Sequence, residues 1–76
     1  MMYLFVDKSN ESIKAIQLLS QLKVPFKLID VDKNDIRGNM LIDFGTSKTP
    51  LLVTKDVIII GFESIKEYIT QKLCRN

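Results

Sequence analysis

At 76 residues, 46% hydrophobic and 26% charged, the chain has room for one small domain (1–76) and carries too much apolar side chain to stay disordered. Its net charge is +2, and its nine lysines and two arginines (Arg37 and Arg75) are scattered among acids, whereas a nucleic-acid surface needs a basic stripe with aromatics or arginine, so no nucleic-acid partner is expected. With no histidine and a single cysteine, Cys74, the chain lacks an internal disulfide framework, the commonest metal ligand and the usual general base.

Met2 to Val6 is a short apolar run that reads as a buried strand, ended by Asp7 and Lys8. Ser9 has the chemistry of a helix N-cap, and Glu11 stands in the first turn, where the helix dipole favours an acid. Ile13, Ile16, Leu19 and Leu22, joined by Ala15 and Leu18, recur at helical spacing through Lys23, and Pro25 stops that helix. Phe26 to Val31 predicts a second strand. Asp32 or Asn34 is the expected cap of a second helix with Ile36, Met40 and Leu41 on one side. Gly38 weakens it by about 1 kcal/mol relative to Ala.

Gly45 to Lys48 reads as a polar loop, and Pro50 opens a third strand over Leu51 to Thr54. Lys55-Asp56 is a two-residue turn into a fourth strand, Val57 to Ile60, which Gly61 ends. Phe62, Ile65, Ile69 and Leu73, flanked by Tyr68, then form a third amphipathic helix. The order is β-α-β-α-β-β-α, an α/β arrangement. The first two strands are parallel through a right-handed crossover, and the last two are antiparallel through their tight turn. A mixed four-stranded sheet flanked by helices follows. No secretory leader pattern opens the chain, and Val57 to Ile60 is far too short to span a bilayer. The cytoplasm, a monomer and no membrane partner are therefore the expectations.

Specific residues within that order resemble the glutaredoxins of the thioredoxin-fold superfamily. Counting Ser12 as the second cysteine of a Cys-x-x-Cys motif, Ala15, Leu18, Leu19, Leu22, Val24, Pro25 and Phe26 fall without a gap at that family's spacings. Ile29-Asp30-Val31-Asp32 resembles its second strand, and Thr49-Pro50 matches the segment that holds its cis-proline. Ile60-Gly61-Phe62 resembles the turn in the small glutaredoxin-like reductants of ribonucleotide reductase. The resemblance covers essentially the whole chain. It implies a thioredoxin fold and descent from a thiol-disulfide oxidoreductase of electron transport and cell redox homeostasis.

The departures bear on chemistry. The motif reads Ser9-Asn10-Glu11-Ser12, the loop before it is shortened, and the second glycine of the glutathione-type Gly-Gly turn is Phe62. Thiol-disulfide exchange needs a thiolate, which this fold obtains by setting a cysteine at a helix N-terminus. A serine hydroxyl there stays protonated and forms no disulfide, and without histidine it lacks the base a serine hydrolase uses. No catalytic residue is expected: Ser9 and Ser12 are degenerate redox positions, and Ser9 serves as a cap.

The resemblance implies a ligand groove formed by Lys8, Ser9, Thr49, Pro50, Gly61 and Phe62. The backbone beside the proline would pair with an extended peptide or glutathione by strand addition. Lys8 also reads as a solvated strand-end charge, Pro50 as a plain strand opener and Phe62 as a packing residue of the third helix. Asp30, Asp32 and Asp35 lack the spacing of a calcium loop and read as turn and cap residues. Cys74 reads as incidental.

Three functions stand open. One is a redox-inactive module that binds a protein, a peptide or a thiol ligand such as glutathione, with no cofactor. A second is an oxidoreductase seen as a Cys-to-Ser variant, against which Asn10-Glu11 weighs as an unusual middle pair for an active motif. The third is an interaction domain that uses another face, such as its lysine-rich outer surface.

Overall fold

The computed structural model describes residues 2–73. Its elements are β1 (Met2–Val6), α1 (Asn10–Gln21), β2 (Phe26–Asp30), α2 (Ile36–Phe44), β3 (Leu51–Val53), β4 (Ile58–Ile60) and α3 (Phe62–Leu73). One four-stranded sheet runs β2-β1-β3-β4. β1 pairs parallel to β2, with Leu4 opposite Leu28, and antiparallel to β3, with Leu4 opposite Leu52. β3 pairs antiparallel to β4, with Leu52 opposite Ile59. This is the mixed four-stranded sheet the sequence predicts.

Alternation along the strands divides the core between the two sheet faces. Leu4, Val6 and Leu52 pack with Ala15 and Leu19 of α1 and Ile65 and Ile69 of α3. On the other face Leu51, Val31 and Met40 form a smaller cluster with Phe5, Ile36 and Phe44. There the Phe5 and Phe44 rings meet edge to face at 5.4 Å. Cys74 lies outside the described residues. Among the described residues no helix is long and apolar enough to cross a membrane.

Four expectations need correction. First, the face of α1 turned to the sheet is Ser12, Ala15 and Leu19, whereas Ile13 and Leu22 are exposed. The periodicity marks a helix, but Ser12 is anchored beneath it and sets its rotation. Second, α1 ends at Gln21, before Pro25 acts. The Lys23 N–H donates to the Ser20 carbonyl, the Val24 N–H donates to the Leu19 carbonyl, and Lys23 is left-handed at φ 57°. That is a Schellman ending with lysine where glycine is usual.

Third, neither Asp32 nor Asn34 caps α2: Asp35 precedes it at φ 56° with no side-chain cap bond. The Asp30 side chain instead accepts from the Asp32 N–H, which commits that segment to an Asx turn. Fourth, Leu41 does not share the buried side of α2; Met40 is buried, whereas Leu41 and Ile42 are exposed. A nine-residue helix over one part of the sheet has only a narrow strip to bury. The second, third and fourth strands are each one residue shorter than expected. The Thr54 hydroxyl accepts from the Asp56 and Val57 N–H groups and so closes the Lys55-Asp56 turn.

Candidate functional site

The link from β1 to α1 is only three residues long, so side chains and backbone of Asp7 to Ser12 meet at the helix start. Ser9 is the N-cap: its backbone is extended, and its Oγ accepts from the Ser12 N–H at 3.3 Å. Asp7 Oδ1 accepts from the Ser9 N–H at 2.9 Å and from the Ser12 hydroxyl at 2.9 Å. The Asp7 N–H in turn donates to Ser12 Oγ at 3.2 Å. Ser12 is fully buried, and its hydroxyl is used both as donor and as acceptor by Asp7.

Asp7 also holds the far side of the site. Its Oδ2 meets Arg37 Nη2 of α2 at 3.2 Å; the same nitrogen stands 3.6 Å from Asp32, and Arg37 Nη1 donates to the Ser47 carbonyl at 2.9 Å. Arg37 thus ties α2, the loop before β3 and the start of α1 together. Hydrogen bonding by Ser9 holds the Asp7 carboxyl well below the usual carboxylate range; Thr49 and Ser12 add to this, and burial opposes it. A carboxylate that binds its proton so weakly is a poor general base near neutral pH, so it does not activate the Ser9 hydroxyl.

The Thr49-Pro50 peptide is cis. Thr49 lies two residues before Leu51, which pairs with Phe5 at the start of β3, and its side chain helps hold the Asp7 charge. Among the described residues neither the N–H nor the carbonyl of Thr49 enters a backbone hydrogen bond. The Pro50 carbonyl accepts from the Gly61 N–H at 2.9 Å, which fastens the segment to the turn before α3. Gly61 is left-handed at φ 91°, a conformation its lack of a Cβ makes inexpensive, and its carbonyl accepts from the Ile65 N–H.

The structure therefore gathers Ser9, Ser12, Thr49, Pro50 and Gly61 at one end of the sheet. Lys8 is exposed beside them. Phe62 is half-buried against the α1/α3 core, with Lys14 Nζ 6.0 Å from its ring centroid. Asp7 and Arg37, which organise this end, carry no sequence signal: residues 7 and 37 belong to no shared motif. Among the described residues no three histidine, cysteine, aspartate or glutamate side chains come together as a metal site.

Neither a protein-family model nor a curated protein sequence matches the chain. Among solved structures it is similar to the holo form of glutaredoxin C1 from Populus tremula x tremuloides. The TM-score is 0.74 at 16% sequence identity, over 92% of this chain and 74% of that one. At that identity the likeness is one of fold. Together with the strand order β2-β1-β3-β4 and helices on both faces, it shows that the domain has a glutaredoxin-like thioredoxin fold.

Proposed function

We propose that this domain is a glutaredoxin-like module without thiol-disulfide chemistry, which binds a peptide or a small thiol ligand such as glutathione along Thr49 and the start of α1. The observation that carries the reading is the free main chain of Thr49 beside Ser9, next to a Ser12 hydroxyl wholly committed to Asp7. A main-chain N–H and carbonyl left free just before β3 suit strand addition, which needs no side-chain nucleophile. Ser9 is the one motif hydroxyl left accessible, as a donor to a ligand carbonyl or carboxylate.

Amide shifts on titration with glutathione test the binding. Shifts are expected at Ser9, Thr49 and Gly61; shifts confined to α3 would move the function to another face. A disulfide-reduction assay tests the chemistry. The chain as it stands is expected to be inert, and turnover above a cysteine-free control would overturn the reading. The double variant Ser9→Cys/Ser12→Cys is expected to gain measurable turnover, since both positions keep the placement of a capping residue and a buried partner one turn on.

A further inference from the structure

The fourth strand has an open edge whose hydrogen-bonding groups can be assigned one by one. β4 ends the sheet, and only β3 pairs with it. The Thr54 N–H donates to the Val57 carbonyl and the Gly61 N–H to the Pro50 carbonyl. In an antiparallel ladder, hydrogen-bonded pairs alternate with non-bonded ones. Between those two bonds Leu52–Ile59 is therefore a bonded pair, whereas Val53–Ile58 and Leu51–Ile60 are not. The N–H and carbonyl groups of Ile58 and Ile60 point away from β3, and among the described residues none has a partner.

The side chains follow the same parity. Ile58 and Ile60 lie on the α2 side of the sheet, in register with Val53 and Leu51. The short α2 leaves them 47% and 42% exposed, and Tyr3, opposite Val53, is exposed beside them. Edge strands are commonly guarded by charge. β2, the other edge, carries Lys27, but β4 is three isoleucines with no charge.

We propose that a second copy of this chain pairs with β4, antiparallel and about a two-fold axis through Ile59. The two sheets then join into one of eight strands. In that register Ile58 of each copy faces Ile60 of the other, and all four outward-pointing main-chain groups of each strand find partners. The same pairs bring exposed aliphatic side chains together across the axis, and Ile59 meets its own copy on the α1/α3 side. The contact is isologous, so it closes at two copies. A three-residue ladder is a small interface, and its dissociation constant belongs in the range of about 10 µM to 1 mM.

Sedimentation equilibrium over that range tests this. The mass is expected to rise from 8.7 kDa toward twice that value and no further. A constant 8.7 kDa, or growth without limit, would overturn the proposal. In the unaltered chain, amide exchange at Ile58 and Ile60 is expected to slow as concentration rises, while Ile59, already bonded to Leu52, does not change. Equal behaviour of the three amides would also overturn it. Ile58→Lys/Ile60→Lys and Ile58→Glu/Ile60→Glu are each expected to stay monomeric with an unchanged circular dichroism spectrum. An equimolar mixture of the two is expected to associate, because each introduced lysine then faces an introduced glutamate. A mixture that stays monomeric would count against the register.

Discussion

Asp7 joins the stability of this end of the molecule to its chemistry. Its hydrogen-bonded carboxylate keeps its charge well into acid, so its folded-state affinity for a proton lies below that of the unfolded chain. The sign follows from linkage: the contribution is complete at neutral pH and is lost as pH falls below about 4, where the unfolded chain takes up the proton first. Asp7→Asn is expected to cost about 1 kcal/mol at pH 7, since a charged acceptor becomes a neutral one. The gap from the parent in denaturant midpoint is expected to narrow as the solution is acidified below about pH 4. A gap that does not change with pH would mean that the charge contributes nothing. The same negative charge disfavours a second anion at the start of α1. In a Ser9→Cys variant, removing it with Asp7→Asn is expected to lower the thiol pKa by about one unit, read from alkylation rate against pH.

At the scale of elements, two helix positions hold residues that oppose their own backbone. Lys23 ends α1 in the left-handed region, where a Cβ costs about 1 kcal/mol and glycine costs little. Gly38 lies within α2, where an added Cβ would meet nothing within 4 Å. Lys23→Gly and Gly38→Ala are each expected to stabilise the fold by about 1 kcal/mol, or a melting-temperature rise of about 4–8 °C. The sites share no contact, so their effects should add. A fall in melting temperature for Gly38→Ala would show that α2 needs the glycine for something other than helix formation.

At the scale of the whole molecule, a 76-residue domain has a total stability of roughly 4–11 kcal/mol. Leu52 is fully buried in a central strand, against both α1 and α3. Leu52→Ala is expected to cost about 2–5 kcal/mol, a large part of that total. Loss of cooperative thermal melting, or a much lower midpoint, is the expected reading by circular dichroism. A cost under about 1 kcal/mol would mean that the α1/α3 face collapses easily around the cavity. The smaller cluster under α2 has less to lose, because its helix covers only part of the sheet and leaves Ile58 and Ile60 open.

Local patterns determined the elements of this protein. Two-residue and helical periodicities, the Ser9 cap, the Lys55-Asp56 turn and the glycine at 61 act between near neighbours in the chain, so the order β-α-β-α-β-β-α was legible in residues alone. The resemblance to the glutaredoxins also implied that Ser9, Thr49, Pro50 and Gly61 lie at one end of the fold. Tertiary structure decided what local pattern cannot encode. The pairing of Asp7 with Arg37 spans 30 residues and no periodicity relates them. The rotation of α1 follows Ser12, a polar residue that a hydrophobic pattern passes over, held down by two bonds to Asp7. The start of α2 at a left-handed Asp35 reflects where the chain leaves β2 more than any capping preference. Periodicity specifies that a face exists; only the packed sheet determines which residues lie beneath it and which charges meet at its end.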